Sequence, residues 1–122
     1  MDQKDGIQIT QQGPVAVVAF TMASITDGQV IAMAAKKIHE YLEGAARPVW
    51  MIFDFEGVHF FSSQILGLLL EIRARMQATG GKVVISALSP SLHRVFKTTN
   101  LDRIFEIFPN SRAAMEALDT TH

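Results

Sequence analysis

Phe53-Asp54-Phe55-Glu56-Gly57-Val58-His59-Phe60-Phe61-Ser62-Ser63-Gln64-Ile65-Leu66-Gly67-Leu68 runs from the end of one apolar segment, through a loop, into another. Just upstream, Pro48 precedes Val49-Trp50-Met51-Ile52-Phe53, a run too short for an ordinary helix and rich in strand formers. A continuous apolar run of that length predicts a strand buried on both faces. Downstream, Ile65, Leu68, Leu69, Ile72 and Met76 recur at helical spacing, predicting a helix from Ser62 or Ser63 to about Ala78, closed by Gly80-Gly81. A buried strand feeding an amphipathic helix is the repeating unit of α/β sheets.

The same alternation extends in both directions. Ile7 to Gln11 alternates apolar and polar, Gly13-Pro14 breaks the pattern, and Val15–Phe20 is continuously apolar, which predicts two strands and a tight turn. Thr26-x-x-Gln29 has capping-box chemistry. Behind it, Ile31, Ala34, Ala35, Ile38 and Leu42 share a helical face that Gly44 closes. On the other side, Lys82-Val83-Val84-Ile85 reads as a short buried strand. Ser89-Pro90 opens a helix carrying Leu92, Val95 and Phe96. Ile104–Phe108 alternates weakly and is expected as an edge strand, and Pro109-Asn110 opens a last helix bearing Ala114, Met115 and Leu118. The order β-β-α-β-α-β-α-β-α describes an α/β fold: a mixed sheet of four to five strands flanked by about four helices. No repeat, low-complexity stretch or linker interrupts it, so residues 1–122 are expected to form a single domain with a core of about 6–118.

Composition narrows the function classes. With 122 residues and 48% hydrophobic content there is room for one core. Eleven basic against twelve acidic residues give a net charge of −1, which lacks the basic excess of a nucleic-acid binder. No cysteine is present, which removes thiolate metal sites, disulfides and a cysteine nucleophile, and favours a cytoplasmic location. The opening Met1-Asp2-Gln3-Lys4-Asp5 is unlike a signal peptide. The longest apolar runs are far shorter than the ~20 residues of a spanning helix, so no membrane insertion is expected.

Candidate chemistry is sparse. His39, His59, His93 and His122 are scattered without metal-ligand spacing, so neither a metal nor a cofactor is expected. Gly80-Gly81 follows a helix and lacks phosphate-loop context. Asp54, His59 and Ser63 suggest a hydrolytic triad, but the serine has no G-x-S-x-G elbow around it. Asp54 and Glu56 form a carboxylate pair with nothing to indicate a substrate pocket. The residues that stand out are Ser62 and Ser63, two hydroxyls at the start of an apolar helix. Free amides and the positive end of the helix dipole favour an anion there. A phosphate would bring about −1.5 to −2 charges to that end of a near-neutral chain. The plainer role of such a serine is an N-cap, worth about 1 kcal/mol.

The segment resembles the signature of STAS domains of the anti-sigma factor antagonist type, V-x-F-[ILM]-D-S-[ST]-G-[LI]-G-x-[LI], here Val58-His59-Phe60-Phe61-Ser62-Ser63-Gln64-Ile65-Leu66-Gly67-Leu68. Phe96-Lys97-Thr98-Thr99-Asn100-Leu101-Asp102-Arg103-Ile104-Phe105 is similar to the family's F-x-x-x-[GN]-L-x-x-[LIV]-F. The resemblance implies a regulator, not an enzyme, that binds an anti-sigma factor doubling as a serine kinase, with a phosphatase to reset it. It puts the phosphate acceptor at Ser63, with Ser62 as the alternative, and partner contacts at Phe60, Phe61, Ser62, Gln64 and Leu66. Leu70 is a further apolar candidate. Three positions depart from the pattern: Ser62 replaces Asp, Gln64 replaces Ser or Thr, and Ile65 replaces Gly, where a branched side chain is expected to alter docking. The alternative is a non-switching STAS subunit of a stress-signalling or lipid-transport complex. The edge Ile7–Gln11 offers a route to a homodimer, although Gln8, Gln11 and Gln12 give it little apolar drive.

Overall fold

The computed structural model describes residues 6–44 and 48–119, and the element order matches the expectation with three small additions, two short strands and a 3₁₀ turn. β1 (Ile7–Gln12) and β2 (Val15–Phe20) form the antiparallel hairpin, with Gly13 at φ +60 in the two-residue turn where a Cβ is disfavoured. β3 (Ser24–Ile25) precedes α1 (Gly28–Glu43); β4 (Trp50–Asp54) and β5 (Phe60–Phe61) precede α2 (Ser63–Ala78). β6 (Lys82–Ser86), α3 (Pro90–Thr98), a 3₁₀ turn at Leu101–Arg103, β7 (Ile107–Phe108) and α4 (Ser111–Asp119) complete the chain. Met1 to Asp5 and His122 lie outside the described residues.

The main sheet has five strands in the order β1-β2-β4-β6-β7, parallel from β2 onward. The buried-strand expectation for β4 holds because its alternate residues enter different cores. Met51 and Phe53 face α1, α2 and α3, while Ile52 joins Val15 and Val84 beneath Ala114 and Leu118 of α4. The three helical crossovers therefore share one face, and α4 alone lies on the other. Strands β2, β4, β6 and β7 step in one direction without reversal, so the sheet has no switch point of the kind that opens a ligand crevice. What the parallel arrangement does provide is a set of helix N-termini gathered at the carboxyl ends of the strands.

Three local expectations are corrected. The cap of α1 is Asp27, whose Oδ1 accepts from the Gln29 amide at 2.8 Å, and not Thr26. A carboxylate one residue later reaches the same unsatisfied amides with added dipole attraction. The expected strand Ile104–Phe108 shortens to Ile107–Phe108, because Leu101–Arg103 closes a 3₁₀ turn and Phe105 turns into the core. The Asn100 that opens this turn sits at φ +63, a left-handed conformation that glycine and asparagine tolerate best. Finally, β3 and β5 pair in parallel as a separate two-residue ribbon, Ser24 with Phe60 and Ile25 with Phe61. The remaining helix starts follow expectation: Ser89 Oγ accepts from the Leu92 amide at 3.3 Å, and Asn110 Oδ1 from Ala113 at 2.8 Å.

Candidate functional site

β4 delivers the chain to the carboxyl edge of the sheet at Asp54. Its carboxylate is nearly buried and accepts from Ser86 Oγ at 3.1 Å and from the Glu56 amide at 3.3 Å. These bonds tie β4 to β6 and start the loop, which turns at Gly57 with φ +83. The loop then enters the β3–β5 ribbon: the His59 and Phe60 amides donate to Ala23 O, and the Ser62 amide donates to Ile25 O at 3.0 Å. Ser62 thus has its backbone fixed before α2 begins.

The two serines consequently have different surroundings. Ser62 holds the N-cap backbone conformation (φ −83, ψ 165), and its carbonyl receives the Ile65 amide at 3.1 Å. Its side chain makes no capping bond, and its Oγ is buried without a hydrogen-bond partner. Ser63 is the first residue of a 16-residue helix and is exposed. At that position the amides of Ser63 and Gln64 have no acceptor within the helix ladder, and the positive dipole end points outward. The helix carries no acidic residue in its first turn.

The neighbours of Ser63 divide between surface and core. Phe60 is 58% exposed, the most exposed large apolar side chain among the described residues. Phe61 does not reach the surface as expected of a partner contact. It is 6% exposed and packs on Phe55 and Phe96, with ring centroids 5.5 and 6.3 Å away. A two-residue strand alternates faces, so one Phe is presented outward and the other seals the core. Ile65 is fully buried, so the branched side chain in place of the family's glycine fills the core and is not part of the surface. Gln64 is exposed, Leu66 packs partly against the core and Leu70 stands out from α2.

One neighbour of the site lacked a sequence signal. The N-terminus of α1 lies beside that of α2: a Cβ built on Gly28 would come within 3.7 Å of Gln64 Oε1. A shallow groove between the two helices, lined by Gly28, Ile31, Ala35, Gln64, Gly67 and Leu68, runs away from Ser63. Asp27, the α1 cap, immediately precedes Gly28, and its Oδ1 is engaged by the Gln29 amide. The β3–β5 pairing contributes to this approach, and a two-residue strand leaves no periodicity to detect.

The other sequence candidates do not assemble. No hydrogen bond among the described residues joins His59 to Asp54 or Ser63, and the Asp54 carboxylate is engaged by Ser86. No cluster of three or more His, Asp or Glu among the described residues has metal-binding geometry. His93 is exposed on α3, and His39 faces α2. No helix among the described residues is long and apolar enough to cross a membrane.

Comparison with known proteins agrees with this fold. The model of the STAS domain family matches residues 7–114. Among solved structures, an anti-sigma-factor antagonist (STAS) domain protein from Planctomyces limnophilus superposes with a TM-score of 0.82 at 23% identity, covering 93% of this chain and 98% of its own. The anti-sigma factor antagonist SpoIIAA in its unphosphorylated form gives 0.78 at 19% identity, covering 95% and 99%. Its phosphorylated form from Bacillus gives 0.69, also at 19%, covering 91% and 98%. The STAS domain of a SulP transporter from Vibrio cholerae gives 0.70 at 18% identity, covering 91% and 85%. At these identities the structural likeness establishes the fold.

Proposed function

The chain belongs to the STAS domain family, and from that premise we propose that it is a single-domain, cytoplasmic regulator of the anti-sigma factor antagonist type. In this reading it is a binding partner and not a catalyst. It docks an anti-sigma factor with serine kinase activity through the surface around the start of α2, and phosphorylation of Ser63 ends that binding until a phosphatase restores it. The observation that carries the proposal is the contrast between the serines: Ser63 exposed at the first position of a long helix, Ser62 with a buried hydroxyl. A kinase needs the accessible one. A relative solved in both phosphorylated and unphosphorylated forms supports the same chemistry.

Physically, Phe60 and Gln64 would be covered by the partner, with Leu66 and the Ser62 backbone at the rim. A phosphate on Ser63 would place a dianion against this desolvated apolar contact, a costly arrangement unless the partner supplies basic groups. Incubation with the cognate kinase and intact-mass measurement test the proposal. One phosphate is expected on the wild type and on Ser62→Ala, and none on Ser63→Ala, which should still bind the partner. Ser63→Asp should weaken binding. Label that survives Ser63→Ala overturns the acceptor assignment.

The departures from the family signature at Ser62, Gln64 and Ile65 favour one second reading: a non-switching subunit of a stress-signalling or lipid-transport complex. Co-purification from the native host separates the two, since a sigma regulator supports the first reading and a transport ATPase the second.

A further inference from the structure

Away from the Ser63 surface, α1 and α2 are joined by a three-residue polar bridge centred on His39. Its Nε2 lies 2.8 Å from Glu71 Oε2 and its Nδ1 lies 2.6 Å from Arg75 Nη1. A guanidinium only donates and a carboxylate only accepts. Nδ1 must therefore present its lone pair to Arg75, while Nε2 carries the proton given to Glu71. A single neutral tautomer satisfies both partners. Arg75 also reaches the His39 carbonyl at 3.5 Å and lies 3.9 Å from the Glu43 carboxylate, one turn further along α1.

We propose that His39 is a proton-operated clamp between α1 and α2. Neutral His39 holds Arg75 against α1 through Nδ1. A proton added at Nδ1 sets N–H against N–H and imidazolium against guanidinium at the same 2.6 Å contact, and Arg75 moves to Glu43, the carboxylate already nearest to it. Glu71 keeps its partner throughout, because Nε2 donates in both protonation states. The charged groups around His39 are Glu71 and Arg75 from α2, with Lys36 and Glu43 a turn to either side on α1. The core that α1 packs against is apolar, with Ile7, Ala16 and Val18 among its members. Glu71 also lines the α1–α2 groove that ends at Gln64 beside Ser63. The clamp thus sits at the far end of that groove and rests on side-chain geometry alone, independent of phosphorylation.

Nitrogen NMR of the folded protein tests this directly. In its neutral form His39 is expected as the Nε2–H tautomer. The Arg75 guanidinium signal is expected to step once as His39 takes up a proton at Nδ1. The step should vanish in His39→Gln, whose amide accepts from Arg75 and donates to Glu71 without titrating. It should shrink in Glu43→Gln, which removes the receiving charge. An Nδ1–H tautomer in the wild type, an Arg75 signal without a step, or a step that survives His39→Gln overturns the proposal.

Discussion

Replacing Ser62 with alanine should stabilise the protein, which is the opposite of what its position at a helix start suggests. A capping serine loses about 1 kcal/mol on truncation, because an amide of the first turn is left unpaired. Here that bond is not made: the Ile65 amide is satisfied by the Ser62 carbonyl, and the Ser62 amide by Ile25, so both survive the substitution. What disappears is a buried hydroxyl without a partner, whose desolvation costs roughly 1–3 kcal/mol. Allowing a few tenths for lost side-chain contacts, the net gain is about 1 kcal/mol, or a rise in Tm of roughly 2–6 °C for a domain of this size. Urea unfolding followed through Trp50, the one tryptophan, provides the assay. The midpoint should rise with an unchanged m-value. Ser89→Ala is the internal contrast, because Ser89 does cap Leu92, and its midpoint should fall by the equivalent of about 0.5–2 kcal/mol. A Ser62→Ala midpoint that falls alongside Ser89→Ala would refute the assignment of Ser62 as a buried, non-capping serine, and with it the argument that separates the two hydroxyls.

Two further outcomes follow from the packing. Ile65→Ala should cost about 2–5 kcal/mol in the same unfolding assay, as expected for a fully buried aliphatic side chain; a loss below ~1 kcal/mol would place the side chain at the surface instead. Tyr41, the one tyrosine, donates to Gln11 Oε1 across α1 and β1, and burial pushes its phenol above the ordinary 10.0. A raised pKa in the folded state means the native protein holds this proton more tightly than the unfolded chain. The contribution is complete below the unfolded value and is lost as pH climbs through the folded one. Phenolate absorbance should show a midpoint above 10.0 that falls on unfolding in urea, and Tyr41→Phe should remove that alkaline part of the stability loss.

Much of the fold was legible because its signals are local. Met51-Ile52-Phe53 is apolar without alternation since the strand is covered on both sides, and the α2 stripe from Ile65 to Met76 is buried at every expected position. Ser89-Pro90 and Gly13-Pro14 mark their boundaries through backbone chemistry that neighbouring residues settle between themselves. Capping was less secure, as Thr26 against Asp27 shows, because adjacent polar residues compete for the same amides and the winner depends on where the helix axis is set.

The chain by itself determined an α/β sheet with helices starting at the strand ends, and a pair of hydroxyls at the most distinctive of those starts. It also determined the absence of cysteine and the near-neutral charge, since these are properties of composition. Only the tertiary structure separated Ser62 from Ser63 and Phe60 from Phe61. In each case the neighbours in sequence have similar chemistry, and their fates diverge because a two-residue ribbon with Ser24–Ile25 sets which one faces water. That pairing spans more than thirty residues of chain. A contact so short and so distant leaves no periodicity, and its free energy is realised only after the sheet has assembled.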